Sequence, residues 1–146
     1  MKDDSIFSSR TGRLSCTDVE FFGFITDLRN LEQFIPEGSL KNWQATDDFC
    51  SFGAPPLGTV KVWISEKRPF SSVIFSGDVL NKNDVNLNIQ INNMAKAEVR
   101  LILTANFNPV LKMMASGPIE KFLETLISEM EKFDKWNDIF TEKQLH

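Results

Sequence analysis

At 146 residues with a net charge of −4, the chain is the length of one ordinary domain, and its acidic balance argues against a nucleic-acid partner, because phosphate binding needs a basic face. Hydrophobic residues at 42% and charged residues at 25% exclude a disordered or fibrous chain. The aromatic set is lopsided, thirteen Phe and three Trp with no Tyr; Phe has no polar handle, so the chain is building dry surface, as core or as the wall of an apolar pocket.

No apolar run reaches the length of about eighteen residues that a membrane-spanning helix needs. The opening stretch MKDDSIFSSR is acidic where a signal peptide would be cationic. A cytoplasmic protein without membrane insertion is the expectation. Cys16 and Cys50 are too far apart for a disulfide framework and stand in no metal-binding spacing, so both are expected as free structural thiols.

In chain order, Ile6 to Arg13 reads as a first strand. Thr17-Asp-Val-Glu20 is a capping box: the Thr17 hydroxyl can accept from the Glu20 amide while the Glu20 carboxylate reaches back to the Thr17 amide. A helix follows, with Phe21, Phe24, Ile25 and Leu28 at helical spacing, and a second short helical piece runs from Leu31 to Ile35 before Pro36 and Gly38. From Leu40 to Phe107 the period becomes alternating. Trp43–Thr46 and Phe49–Ala54 flank an Asp47-Asp48 turn, and Pro55-Pro56-Leu57-Gly58 turns the chain into Thr59–Lys67, where Val60, Val62 and Ile64 share one face and Lys61, Trp63 and Ser65 the other. Ser72–Asp78 is the next strand. In Asp84–Asn92, Val85, Leu87, Ile89 and Ile91 alternate with Asn86, Asn88 and Gln90, a dry face and a wet face. Lys96–Phe107 is the last. Short connections imply antiparallel neighbours in a meander, so the fold class is α+β.

The closing segment carries a stripe of Leu111, Met114, Ile119, Phe122, Leu126, Met130 and Phe133 against a charged side of Lys112, Glu120, Lys121, Glu124, Glu131 and Lys132. Gly117 and Pro118 lie inside it. Proline removes an amide and clashes with the preceding turn, so the pattern predicts a short first piece and a fresh start at Pro118, re-aiming Met113 and Met114. With Ser9-Arg-Thr-Gly-Arg13, Asp27-Leu-Arg-Asn-Leu31, Phe49-Cys-Ser-Phe-Gly-Ala-Pro-Pro-Leu-Gly58 and Asn108-Pro109 leading into Met113-Met114-Ala-Ser, this order of elements resembles the START-like (SRPBCC) superfamily, the helix-grip fold of Bet v 1-type, polyketide-cyclase-type and lipid-transfer proteins. More narrowly it is similar to small stand-alone members from Bacteroides-type bacteria. The resemblance implies a single domain over residues 1–146, with an ordered core at about 4–134 and a C-terminal extension at 135–146. It implies a curved antiparallel sheet of about six to seven strands around a long C-terminal helix, with two short helices after the first strand, and a hydrophobic ligand between sheet and helix.

Catalysis needs positioned acids, bases, nucleophiles or metal ligands. The one His is His146, the last residue, and Tyr is absent. The carboxylates fall at turns or on the charged side of the terminal helix, and no nucleophile elbow or phosphate-binding loop occurs. No catalytic residue, metal or cofactor is expected. The expected function is non-catalytic binding or transport of a small hydrophobic molecule. Its wall comprises Phe52, Val60, Val62, Phe75, Leu87, Ile89, Leu101, Met113, Met114, Ile119 and Leu123, with Met113 and Met114 as an adaptable edge. The alternatives are a cyclase- or aromatase-like enzyme, in which cavity shape folds a reactive substrate, and an interaction module of the chaperone-associated START-like type. Trp63, alternating outward with Lys61, marks the outer sheet face as a contact surface such as a homodimer interface.

Overall fold

A computed structural model describes residues 5–35, 40–53, 58–79, 83–92 and 96–136. The strands are β1 (Ser5–Ser8), β2 (Gly12–Arg13), β3 (Lys41–Ala45), β4 (Phe49–Gly53), β5 (Thr59–Arg68), β6 (Ser72–Val79), β7 (Asn83–Asn92) and β8 (Glu98–Ala105). They form one antiparallel sheet in the order β1-β8-β7-β6-β5-β4-β3, with β2 also on β8. Between β2 and β3 come α1 (Asp18–Ile25) and a 3-10 helix (Leu28–Phe34); α2 (Pro109–Lys132) closes the chain. This is the helix-grip α+β arrangement. The expected turn at 55–58 lies outside the described residues except for Gly58.

The capping box forms as its residues dictate. The Glu20 amide donates to Thr17 Oγ1 at 3.1 Å, and the Thr17 amide donates to Glu20 Oε1 at 2.9 Å. The second helical piece begins earlier than expected, because Asp27 accepts from the Arg29 amide at 3.0 Å and caps a tight helix at Leu28.

The first strand is two strands, and the reason is a bulge. Ser8 pairs with Ile102 and Gly12 with Val99, so four steps along the N-terminal segment match three along β8. Ser9 anchors the irregularity: its amide donates to the Leu101 carbonyl at 2.8 Å, and its hydroxyl accepts from the Leu101 amide at 2.9 Å. The extra residue throws Arg10 towards α2. There its guanidinium donates to Glu131 at 2.7 Å, Glu124 at 3.2 Å and Ser128 at 3.3 Å, and the Glu131 carboxyl is held below its ordinary range by that hydrogen bond.

Directly after the bulge, Gly12 lets α2 approach. A Cβ there would stand 3.0 Å from Ile127 Cγ2 and 3.3 Å from its Cδ1. Gly12→Val is therefore expected to destabilise the protein by about 1–3 kcal/mol through overpacking, read as a lower midpoint in chemical denaturation. An unchanged midpoint would contradict this close seating.

The helix α2 does not break at Pro118; it runs unbroken from Pro109 to Lys132, with Asn108 accepting from the Leu111 amide at 2.8 Å as its cap. The missing amide of Pro118 orphans the carbonyl of Met114, a residue on the solvent side where water can replace the lost bond. Continuity fixes the phase. Leu111, Ala115, Ile119, Leu123, Leu126, Ile127 and Met130 are buried in one stripe, so Ala115 occupies the place that the sequence pattern assigns to Met114.

Close packing of α2 is with β1, β2, β8 and the 3-10 helix, on one side of the sheet. At the C-terminal end of α2 an aromatic cluster forms. Phe24 lies 5.6 Å from Phe34, 5.1 Å from Phe133 and 5.0 Å from Trp136, centroid to centroid. Trp136 is buried, so the packed core includes the first part of the segment expected as an extension at 135–146; residues 137–146 lie outside those described.

Candidate functional site: an apolar cavity between sheet and helix

Because α2 leans on β1, β2 and β8, the middle strands face an unfilled space. Its volume is about 650 Å³. The alternation of each strand sets what faces it: Cys50 and Phe52 from β4, Val60 and Val62 from β5, Phe75 from β6, and Val85, Leu87 and Ile89 from β7. These positions are in register, with Phe52 opposite Val60, Cys50 opposite Val62 and Phe75 opposite Leu87. Ile119, Phe122, Leu126 and Met130 of α2 form the roof, and the 3-10 helix contributes Leu31 and Phe34 at one end.

Of the eleven residues expected on the wall, Phe52, Val60, Val62, Phe75, Leu87, Ile89 and Ile119 line this space. Leu101 and Leu123 do not; both are buried, Leu101 on the strand against which α2 packs, so they belong to the solid part of the core. Met113 and Met114 also do not line it. They are 84% and 53% exposed, because in an unbroken helix at about 100° per residue they lie roughly 120° and 140° around from Ile119. The expected re-aiming at Pro118 does not occur, and Pro118 itself stands at the cavity edge.

Sequence reading missed Trp43, Lys121 and Thr125, which also line the cavity. Trp43 stacks on Phe52 with centroids 5.5 Å apart. Its inward direction was hidden by a register shift between Lys41 and Gln44, where Asn42 has a φ of 56° and alternation cannot be read. Thr125 lies beside Leu126 of the apolar stripe, and Lys121 is one turn before it; their adjacency to that stripe was the available signal.

Polar chemistry in the cavity is sparse. Ser76 borders it through its backbone, because its side chain pairs across from Trp63 and Asn86 on the outer face of the sheet, where the hydroxyl donates to Asn86 Oδ1 at 3.0 Å. Burial pushes the Cys50 thiol up to about 12, so it stays protonated and weakly nucleophilic at neutral pH. The described lining residues include no carboxylate and no His. On the opposite face of the sheet, Trp63 pairs across from Phe49, and the two are 40% and 39% exposed. Among the described residues, no group of three or more His, Cys, Asp or Glu could hold a metal ion, and no helix is long and apolar enough to cross a membrane.

No family model matches the chain, and no curated protein does. Solved structures do. A protein from Rhizobium loti is 11% identical with a TM-score of 0.63, over 88% of this chain and 99% of that one. Norcoclaurine synthase from Thalictrum flavum is 7% identical with a TM-score of 0.63, over 87% and 86%. DynU16, from the dynemicin biosynthetic locus, is 12% identical with a TM-score of 0.55, over 90% of this chain and 47% of that one. At such identities the likeness is one of fold: the chain shares with these proteins the helix-grip architecture, an antiparallel sheet closed over a long C-terminal helix.

Proposed function

We propose that this protein binds a small hydrophobic molecule in the cavity between the sheet and α2, as a carrier or sensor and without reaction chemistry of its own. The observation that carries the reading is a space of about 650 Å³ left open behind apolar side chains. That volume falls within the roughly 300–1,000 Å³ typical of small-molecule sites. A chain that needed only a core would fill it, since voids forfeit packing contacts. A ligand hiding about 200 Å² of apolar surface there gains roughly 5 kcal/mol before the cost of its immobilisation. The non-catalytic part of the reading rests on the wall: its titratable groups, among the described residues, are a protonated thiol at Cys50 and the lysine at the edge.

Titration with the uncharged fluorophore Nile red tests the proposal. Saturable emission enhancement at one site per chain is the expected result. A response no greater than that of a packed globular protein of similar size would count against an accessible cavity.

A further inference from the structure

Two polar side chains at the cavity have no hydrogen-bond or ion-pair partner among the described residues. Lys121 lines the cavity yet is exposed, which puts it at the mouth beside Pro118, and it enters no ion pair among the described residues. The nearest carboxylate along the helix face, Glu124, is engaged by Arg10 and Ser128. One turn further on, Thr125 also lines the cavity, and its hydroxyl makes no hydrogen bond among the described residues. That is unlike Thr26, which donates back to the Phe22 carbonyl at 2.9 Å, and Ser116, which donates to the Lys112 carbonyl at 2.6 Å. A half-buried helical hydroxyl that forgoes the carbonyl four residues back is left to serve the cavity.

The remaining polar groups of the wall do not compete. The Ser76 hydroxyl points to the outer face of the sheet, where it donates to Asn86, and the Cys50 thiol is a buried, weak donor. The cavity thus has one polar end, made of an ammonium and a hydroxyl on successive turns of α2, where residues four apart are neighbours. Both are hydrogen-bond donors and one is cationic. The complement is an anionic group with two acceptor oxygens, attached to an apolar body that fills the rest of the space. A two-chain phospholipid needs more room than about 650 Å³.

Resting on the reading of the cavity as a ligand site, we infer that the ligand is a single-chain or compact hydrophobic carboxylate, its carboxylate held at the mouth by Lys121 and Thr125. The tail supplies most of the affinity and the head group sets direction. A charge-assisted hydrogen bond at a partly wet mouth is worth about fivefold to tenfold in affinity.

Competition against bound Nile red at neutral pH separates the two claims. Decanoate should displace the probe about fivefold to tenfold more effectively than decanol, which has the same tail and no charge. In Lys121→Met, which keeps an apolar stem but no ammonium, this preference should vanish, with acid and alcohol displacing the probe about equally. Thr125→Val should reduce it in part. Equal displacement by acid and alcohol in the native protein would overturn the head-group assignment and leave the cavity reading standing, as would an unaltered preference in Lys121→Met. Displacement by neither compound would overturn both.

Discussion

Phe24→Ala is expected to cost about 3–5 kcal/mol of folding stability. The ring is fully buried and lies within 5.6 Å, centroid to centroid, of Phe34, Phe133 and Trp136. Phe34 and Phe133 also meet at 5.4 Å, and Phe133 and Trp136 at 4.7 Å. Removing Phe24 takes its contacts with Phe34, Phe133 and Trp136 out of the cluster, each pair worth about 0.5–1.5 kcal/mol beyond its buried area. The same cluster joins α1, the 3-10 helix and the residues after α2, so the hole cannot close by moving one element alone. For a domain of this size the loss corresponds to a fall of roughly 10 °C in Tm. Denaturant titration reads it directly, and a loss below about 1 kcal/mol would show that the cluster is loosely packed.

Val62→Trp is expected to weaken Nile red binding at least tenfold while leaving the fold intact. Val62 is half-buried, projects from β5 opposite Cys50, and faces the cavity. A core substitution that adds a ring ordinarily strains its neighbours by about 1–3 kcal/mol. Here the added atoms have about 650 Å³ to enter, so the thermal midpoint should hold or rise as the indole buries itself. Lost binding together with lost stability would mean that Val62 sits in tight packing; retained binding with retained stability would place the ligand elsewhere.

The fold was legible because its signals are local and repeated. The Asn86, Asn88, Gln90 alternation on β7 and the Thr17–Glu20 capping box each state their element without reference to the rest of the chain. The bulge at Ser9–Arg10 was not legible, since it exists only in the register against β8, about ninety residues away. Pro118 misled for a related reason. Local propensity sets a cost of about 3 kcal/mol on a helix-interior proline, and the burial of Leu111 and Ala115 on the same continuous helix outweighs it.

The site was legible to the extent that strand alternation determines it. Phe52, Val60, Val62, Phe75, Leu87 and Ile89 all follow from which side of a strand is apolar. What alternation cannot say is where the helix leaves the sheet. Leu101 and Leu87 are equally apolar inward-facing residues on neighbouring strands, yet Leu101, on the strand against which α2 packs, is fully buried, whereas Leu87 borders the open space. That difference is decided by tertiary placement, through Gly12 and the contacts of Arg10 with Glu124 and Glu131 that hold α2 to one side.

The most direct test of the binding account is native mass spectrometry of the protein as purified from cells, followed by solvent extraction and identification of what is released. The account predicts a population heavier than the bare chain by one small molecule, and an extract dominated by a hydrophobic compound. A mass equal to that of the chain alone, unchanged after incubation with an excess of decanoate and of decanol, would contradict it.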